Sequence, residues 1–198
     1  MISLVSGFYS YLTRKEEYYI IIIGLDNAGK TTLLERIKTI YLGVKGLSPD
    51  KIGPTVGLNI GRIQIGNAFL KFWDLGGQKD LHSIWESYYS ECHGVLFVVD
   101  STDKVRLEDC QAAFEKALSN QVLEGVPVLM AANKQDLEGS LKVEEIKEIF
   151  NPIAEKLGAQ DSRVLPISAI DGQGVKEAID WLFSRVVFNK ENRPPKEQ

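Results

Sequence analysis

The strongest constraint on the fold is a glycine-rich segment between an apolar run and a helical pattern. Residues 24–31 read Gly-Leu-Asp-Asn-Ala-Gly-Lys-Thr and match the pattern G-x-x-x-x-G-K-[ST]. The apolar run ends at Ile23, and the helical pattern begins at Lys30. Backbone N–H groups in such a loop point at phosphate oxygens, and the helix N-terminus adds a partial positive charge. This order of strand, loop and helix predicts an α/β domain that binds phosphate groups.

The residues of this loop have separate predicted roles. We expect Lys30 to neutralise the β- and γ-phosphates of a nucleotide, and the Thr31 hydroxyl to bind Mg²⁺. The backbone of the whole loop would surround the phosphates. The predicted phosphate-binding residues are Gly24, Leu25, Asp26, Asn27, Ala28, Gly29, Lys30, Thr31 and Thr32.

The rest of the chain alternates short apolar runs with helical patterns, as a β-α-β chain does. Strands are predicted over 18–23, 58–65, 69–74, 95–100, 126–132 and 163–167, and helices over 30–40, 104–119, 143–157 and 175–187. Four strands are near-continuous Ile, Val and Leu runs, which indicates a parallel sheet buried on both faces. Gly66 and Asn67 give a turn signal that makes the second and third strands a hairpin. We expect one α/β domain over 17–188, with a mostly parallel six-stranded sheet, one antiparallel strand and helices on both faces.

Composition limits the kind of ligand. The 198 residues are 44% apolar and 25% charged, which is typical of one globular domain. The net charge is −4, so we do not expect a nucleic acid as the main ligand. Cys92 and Cys110 give no disulfide framework and indicate a reducing compartment. We expect an intracellular, soluble protein from these features.

A second motif indicates the base of the nucleotide. Residues 133–136 read Asn-Lys-Gln-Asp and follow a predicted strand. The Asp136 carboxylate can accept both N1–H and the N2 amine of guanine, whereas adenine would leave it unpaired. We expect the Asn133 amide to reach the O6/N7 edge, and the stem of Lys134 to lie along the base. Residues 168–169 read Ser-Ala, and a backbone N–H there would support O6. The predicted guanine-binding residues are Asn133, Lys134, Asp136, Ser168 and Ala169.

A third motif lies at the end of the third predicted strand, where residues 73–78 read Trp-Asp-Leu-Gly-Gly-Gln. We expect Asp74 to hold Mg²⁺ through water and the N–H of Gly77 to approach a γ-phosphate. Gln78 is the predicted catalytic residue, because its amide can orient the attacking water. Thr55, in the loop before the hairpin, would complete the magnesium shell and sense the γ-phosphate.

These motifs together resemble the Arf family of small GTPases. The resemblance rests on residues 24–32, on residues 73–78 and on Trp-x-x-Tyr-Tyr at 85–89, and it extends over about 18–187. A lengthened connection over 38–53 and an Arg-Pro-Pro ending make the chain similar to the Golgi-associated, Arf-related branch of that family. The expected fold is therefore a P-loop GTPase domain.

The resemblance implies a GDP/GTP cycle with bound Mg²⁺. It implies a guanine-nucleotide exchange factor, a GTPase-activating protein and effectors that bind the GTP form of a monomer. The location implied is the cytoplasmic face of Golgi and trans-Golgi membranes together with the cytosol, where the switch would recruit further Arf-like proteins. The effector-facing residues would be Leu58, Trp73 and Tyr88. Leu58 stands where Arf proteins usually carry Phe, so effector identity does not transfer.

The two ends of the chain carry separate predictions. Residues 1–15 are predicted to form an amphipathic helix, because their apolar and polar side chains separate completely when drawn at about 100° per residue. The resemblance implies that this helix moves between the protein and a membrane surface. Ile2 excludes N-myristoylation, which requires Gly there. The resemblance implies instead a membrane receptor that reads an acetylated Met1. Residues 189–198 are predicted to be a disordered tail.

Two other functions remain open at this stage. One is a GTP-bound scaffold without useful turnover, which an intact Gln78 disfavours. The other is a metabolic P-loop nucleotide kinase, which would need arginines around a second substrate, whereas the arginines here are scattered. No arginine directly precedes Thr55, so hydrolysis without an activating protein should be slow.

Overall fold

The computed structural model of the protein describes residues 15–156 and 161–197. Within these ranges the strands are β1 (Glu16–Ile23), β2 (Leu58–Ile65), β3 (Ala68–Leu75), β4 (Gly94–Asp100), β5 (Val128–Asn133), β6 (Ser162–Pro166) and β7 (Lys196–Glu197). The α-helices are α1 (Lys30–Leu42), α2 (His82–Tyr89), α3 (Leu107–Leu118), α4 (Val143–Lys156) and α5 (Val175–Phe188). Short 3₁₀ helices cover Pro49–Lys51, Lys79–Leu81 and Gln121–Leu123.

Six strands form a mixed sheet in the order β2-β3-β1-β4-β5-β6. The β2–β3 hairpin is antiparallel, and the other neighbouring pairs along this order are parallel. The predicted six-stranded fold is confirmed, including the antiparallel strand of the hairpin; a short seventh strand, β7, pairs antiparallel with β1 beside this order. Parallel strands end at the same edge of a sheet, so the loops after β1, β3, β4, β5 and β6 meet there.

Strand β1 shows why the sheet is covered on both faces. Its apolar run has almost no exposed residue, and alternate side chains point to opposite sides. Tyr18, Ile20 and Ile22 pack with buried residues of α1 and α5. Tyr19 and Ile21 pack instead with buried residues of α2, α3 and α4. The molecule is therefore a three-layer sandwich with the sheet in the middle.

Helix α2 is the one α-helix of the described residues that the sequence analysis does not predict. Its eight residues are too few to give a clear periodic pattern. The helix is held by tertiary contacts, because Trp85 and Tyr89 are both buried against the sheet. Helix propensity and hydrophobic periodicity are local properties, so neither of them predicts a helix that is held by such contacts.

Other differences concern the ends of elements. The strand predicted from residue 126 begins at Val128, after Pro127, which has no N–H to give to the sheet. The helix predicted from residue 104 begins at Leu107, because the Asp103 carboxylate accepts a hydrogen bond from the N–H of Arg106 and closes a turn there. Such shifts of two or three residues leave the order of elements unchanged.

The end of the chain differs from the prediction of a disordered tail over 189–198. The Arg193 guanidinium donates to the carbonyls of Tyr89 and Cys92, each at 3.3 Å. Strand β7 then pairs antiparallel with the start of β1. Carbonyls at the end of a helix lack intrahelical donors, so a nearby arginine is a favourable partner. The contacts of Arg193 and of β7 with distant parts of the chain hold residues 189–197 in place, and the local composition gives no sign of them.

The predicted amphipathic helix over 1–15 lies outside the described residues except for Lys15. Within the described part of the chain, no helix combines the length and the apolar character needed to cross a membrane.

Candidate functional site

A cleft of about 320 Å³ lies at the edge of the sheet where the parallel strands end. It brings together three motifs that are far apart in sequence. Its lining includes most of the predicted phosphate loop, the predicted sensor threonine and the predicted catalytic glutamine. The lining residues are Asp26, Asn27, Gly29, Lys30, Thr31, Thr32, Pro49, Ile52, Gly53, Pro54, Thr55, Gly77, Gln78 and Lys134. Asp74 is buried below this surface, next to Thr31.

The phosphate loop presents the start of α1 to the cleft. Gly29, the residue before the helix, has a left-handed backbone with φ of 90°. No side chain in the described part of the chain caps this end, and the first turn of α1 contains no acidic residue. The partial positive charge of the helix N-terminus therefore faces the cleft, and no acidic residue in the first turn of the helix balances it. An anion such as phosphate suits this position.

Lys30 is held inside the phosphate loop. Its Nζ donates to the carbonyls of Gly24 at 3.0 Å and Leu25 at 2.8 Å. Burial lowers the pKa of Lys30 to about 8, although the carboxylates of Asp74 and Asp26 act in the opposite direction. The neutral carbonyls compensate the charge of the ammonium only in part, and a phosphate beside it would supply a full counter-charge. The position and the chemistry of Lys30 both fit the predicted role.

The three predicted magnesium-site residues converge. The Thr31 hydroxyl donates to Asp74 Oδ2 at 2.7 Å, and Thr55 Oγ1 lies 2.7 Å from the same hydroxyl. Thr31 has a single hydroxyl proton, so Thr55 is the donor in that second contact. Three oxygen atoms from the start of α1, the loop before β2 and the end of β3 thus meet at one point.

This group of oxygens fits Mg²⁺. Asp74 is fully buried, and its Oδ1 has no hydrogen-bond partner among the described residues. Burial raises the pKa of Asp74, against the effect of hydrogen bonds from Thr31 and of the charge on Lys30. Mg²⁺ prefers hydroxyl, carboxylate and water oxygens, and it usually takes only one or two carboxylates in addition to phosphates. Bound here, the ion would compensate the buried carboxylate and neutralise charge on the phosphates.

The predicted catalytic loop lies directly against the phosphate loop. The N–H of Asp26 donates to the carbonyl of Gly77 at 3.0 Å. A Cβ atom at Gly77 would lie 2.3 Å from Lys30 Nζ and 2.5 Å from Asp26 N. Only glycine fits this approach, so the close contact explains the residue type. Gln78, the next residue, is exposed and lines the cleft.

Two side chains of α2 that carry no predicted role hold this loop in place. His82 Nε2 lies 2.9 Å from the Gly77 carbonyl, and Trp85 Nε1 donates to the Gly76 carbonyl at 3.0 Å. The His82 and Trp85 rings stack with centroids 4.2 Å apart. Burial lowers the pKa of His82, so the neutral ring is favoured. In the sequence, the only indication of this role was that His82 and Trp85 follow shortly after Gly76 and Gly77.

Asn133 makes two contacts within the protein that the sequence does not predict. Its side-chain Nδ2 donates to the Ala28 carbonyl at 2.8 Å, and its Oδ1 accepts from the N–H of Ala169 at 3.0 Å. The buried amide therefore joins the phosphate loop to the loop after β6. A Cβ atom at Gly29 would lie 2.4 Å from Asn133 Nδ2. The roles of the Asn133 amide at the O6/N7 edge and of a backbone N–H at 168–169 stay predictions.

The other predicted guanine-binding residues lie near the hydrogen bonds of Asn133. Lys134 has φ of 68° and forms an ion pair of 2.6 Å with Asp100, which the sequence analysis does not identify. The hydrogen bonds from Lys134 and Thr102 hold the pKa of Asp100 below its ordinary value, although burial acts against them. Asp136 is exposed, and the fully buried Ser168 accepts from the N–H of Asp171 at 3.0 Å.

Arg106 is a further residue that sequence patterns do not indicate. Its guanidinium donates to Asp26 Oδ1 at 2.6 Å and to Asp103 Oδ2 at 2.6 Å. The Asp26 side chain is thereby held by the residue that directly precedes α3. Asp26 and Arg106 are 80 residues apart, so no local pattern relates them.

Two of the predicted effector-facing residues are in contact. The Trp73 and Tyr88 rings pack edge to face with centroids 5.1 Å apart. Trp73 lies opposite Ile60 in the β2–β3 register, and Leu58 follows on the same face of β2. Leu58 and Ile60 are exposed, whereas Trp73 is buried. A surface with apolar members therefore lies beside the cleft.

Comparisons with known proteins agree with this geometry. A model of the ADP-ribosylation factor family matches residues 4–186. ADP-ribosylation factor-like protein 3 of Saccharomyces cerevisiae is 52% identical over 197 residues, which cover 98% of each chain. ADP-ribosylation factor-related protein 1 of Homo sapiens is 50% identical over 199 residues, which cover 100% of this chain and 98% of the relative.

A solved structure supports the same relationship. The structure of the Arl6 BBS3 small GTPase from Trypanosoma brucei, with the bound nucleotide analogue GppNp, superposes with a TM-score of 0.76. It is 28% identical, and the match covers 87% of this chain and 98% of the other.

Proposed function

This chain belongs to the ADP-ribosylation factor family of small GTPases, and on that premise we propose that it is a GTP-dependent switch that recruits effectors to Golgi membranes. Members of this family bind GTP and GDP with Mg²⁺ and hydrolyse GTP. The effectors proposed are trafficking factors and further Arf-like GTPases, in protein and vesicle transport at the trans-Golgi.

The observation that carries the proposal is the meeting of Thr31, Thr55 and Asp74. Thr31 and Asp74 belong to a helix and a strand, whereas Thr55 belongs to a long loop. Thr55 therefore reaches the metal position only when its loop is correctly placed. A γ-phosphate and Mg²⁺ at this position would stabilise that placement, and their loss would release it. Nucleotide state is thereby converted into the shape of the adjacent surface.

Hydrolysis in this proposal acts as the timer of the switch. Gln78 lies at the cleft next to Gly77, from where its amide can hold a water molecule beside the phosphate. No arginine is among the described residues that line the cleft. Turnover should therefore be slow, on the order of 10⁻³ per second or below, until an activating protein provides an arginine.

The test of the switch is a comparison of nucleotides on the purified full-length protein. Fluorescent GDP and a non-hydrolysable GTP analogue should bind in the presence of Mg²⁺, and excess ATP should not displace them. Single-turnover GTP hydrolysis should be slow but measurable. Equal displacement by ATP would contradict the guanine assignment. Tight GTP binding with no hydrolysis, even with Gln78 intact, would favour the scaffold function instead.

Membrane association is proposed to depend on residues 1–15 and on a receptor for Met1. The support is the segregated apolar face of this segment together with the resemblance to the Arf-related branch. Few basic residues accompany that face, so anionic lipid alone should contribute little. Flotation of the full chain and of a variant without residues 1–15 tests this with pure lipid and with Golgi membranes. Binding to Golgi membranes that survives the truncation would contradict the proposal.

A Golgi location is tested separately in cells. A carboxyl-terminally tagged chain should colocalise with a trans-Golgi marker, and Thr31→Asn should shift it to the cytosol. A distribution that is the same for both chains, or that follows another organelle, would contradict the proposed location.

A further inference from the structure

The connection between α1 and β2 is long for a compact domain. It covers residues 43–57, and within it only the short 3₁₀ helix Pro49–Lys51 has regular structure. Loops of this length in a compact domain are usually functional. This loop also delivers Thr55 to the magnesium position, so its path determines whether Thr55 arrives there.

The loop is fastened to one face of α1 at three successive turns of the helix. Thr31, Glu35 and Thr39 are spaced four residues apart and lie on that face. Thr39 Oγ1 accepts from the N–H of Gly46 at 3.2 Å, and Glu35 Oε2 accepts from the N–H of Leu47 at 3.0 Å. The third contact is the one between the hydroxyls of Thr31 and Thr55. The loop therefore runs along α1 toward the N-terminus of the helix and the cleft.

The Glu35 contact has the properties of a built-in anchor. Glu35 is only 8% exposed, although it is a charged residue in a surface helix. Its other oxygen forms an ion pair of 2.6 Å with Lys38. Burial acts to raise its pKa, but the bonds from Lys38 and Leu47 outweigh it and hold the pKa below the ordinary value. The carboxylate is therefore ionised, and a charged acceptor makes a stronger hydrogen bond than a neutral one.

Gly46 shows that the loop is in direct contact with the helix. A Cβ atom at this position would lie 2.9 Å from Thr39 Oγ1 and 3.0 Å from the Glu35 carbonyl. Any other side chain would push the loop away from α1. The close approach and the two hydrogen bonds thus fix residues 46 and 47 against the helix.

We propose that Glu35 is a positioning residue that holds this loop on the path by which Thr55 reaches the magnesium site. The inference rests on the proposed function, since it concerns the same switch. Glu35 does not touch the cleft and acts through the backbone of Leu47. It should therefore stabilise the triphosphate state, in which Thr55 is held, more than the diphosphate state.

The test compares the dissociation rates of a fluorescent non-hydrolysable GTP analogue and of fluorescent GDP, both in Mg²⁺. Glu35→Ala should increase the rate for the GTP analogue about tenfold, which is the size expected for a lost hydrogen bond to a charged group. The rate for GDP should change less than about twofold. Glu35→Gln should restore most of the difference, because its side-chain oxygen can still accept from Leu47.

Matched variants separate positioning from stability. Lys38→Ala removes the ion pair to Glu35 but leaves the bond to Leu47, so it should behave as the unchanged protein. Thr39→Val and Gly46→Ala disturb the same loop without altering Glu35, and both should selectively weaken binding of the GTP analogue. These two variants carry the test if Glu35→Ala fails to fold by circular dichroism.

An equal increase in both dissociation rates would show a merely structural role and overturn the proposal. A tenfold effect of Lys38→Ala would overturn it as well, because the ion pair and not the Leu47 contact would then be responsible. If the unchanged protein bound neither guanine nucleotide, the proposed function itself would fail. Failure of the Glu35 proposal would appear only in the variants, whereas failure of the proposed function would appear in the unchanged protein, so the two can be distinguished.

Discussion

The side-chain amide of Asn133 donates a hydrogen bond of 2.8 Å to the carbonyl of Ala28, and this bond joins two motifs that are 105 residues apart. The same amide accepts from the N–H of Ala169 at 3.0 Å. One buried side chain thus connects the phosphate loop, the end of β5 and the loop after β6. The phosphate and base ends of the site are mechanically linked.

Asn133→Ala should therefore loosen the whole nucleotide site. The variant leaves the Ala28 carbonyl and the Ala169 N–H without their partner, which costs about 1–3 kcal/mol for each buried group. We expect GDP to dissociate at least tenfold faster, as measured by chasing fluorescent GDP with unlabelled nucleotide. Asn151→Ala, an exposed asparagine of α4, is the control and should leave the rate unchanged. A GDP dissociation rate unaffected by Asn133→Ala would contradict the linking role.

Thr31→Asn should weaken binding of GTP with Mg²⁺ and preserve binding of GDP. The substitution removes the hydroxyl that meets both Thr55 and Asp74. In the proposed switch, this meeting is stabilised by the γ-phosphate and Mg²⁺ of the triphosphate state. We expect the affinity for a GTP analogue in Mg²⁺ to fall about tenfold to a hundredfold, measured by fluorescence titration. Thr31→Ser keeps the hydroxyl and should stay close to the unchanged protein. An equal loss for both nucleotides would contradict the metal assignment.

Gln78→Leu should lock the protein with bound GTP. The side chain is exposed at the cleft, so the substitution should not disturb folding or nucleotide affinity. Without the amide that orients water, hydrolysis should fall by at least about a factor of ten. The measurement is single-turnover release of phosphate, with Lys79→Ala as the neighbouring control. Turnover that stays unchanged in the presence of an activating protein would remove Gln78 from the mechanism.

The order of elements was predictable because each strand and most helices carry their own periodic pattern. The hydrogen-bond partner of a polar side chain, in contrast, was not predictable from such patterns. Asn133, Glu35 and Arg106 each bind a backbone or a carboxylate that only the folded chain brings near. The convergence of Thr31, Thr55 and Asp74 was predictable because a metal ion requires all three oxygens at one point.

Helix α2 and the ordered tail were not predictable for the same physical reason. Trp85 is buried and donates to the Gly76 carbonyl, and Arg193 binds carbonyls at the end of α2. Both segments are too short or too polar to show a pattern of their own. Their order comes from long-range contacts, which composition and periodicity do not encode.

The last prediction concerns His93, which connects the ordered tail to the sheet. Its Nδ1 accepts from the N–H of Tyr19 at 2.9 Å, and its Nε2 lies 3.0 Å from the Pro194 carbonyl. The acceptor at Nδ1 requires the neutral ring, with the proton on Nε2. Burial lowers the pKa of His93 below its ordinary value of 6.5, and the cations Arg193 and Lys196 lower it further.

Stability should therefore decrease as the pH falls below about 6.5. Below this pH the imidazole of the unfolded chain binds a proton, whereas the buried ring of the folded protein stays neutral. The free energy of unfolding therefore rises with pH in this range, and the contribution of His93 is fully present above about pH 6.5. We expect the Tm to fall between pH 7.5 and pH 5.5, with about 2–4 °C for each kcal/mol lost. His93→Phe is less stable at every pH but cannot titrate there, so its Tm should fall less. The variant keeps His82, whose pKa is also lowered, so the difference between the two slopes belongs to His93. Equal slopes, measured by thermal unfolding in matched buffers, would show that His93 does not control this loss of stability.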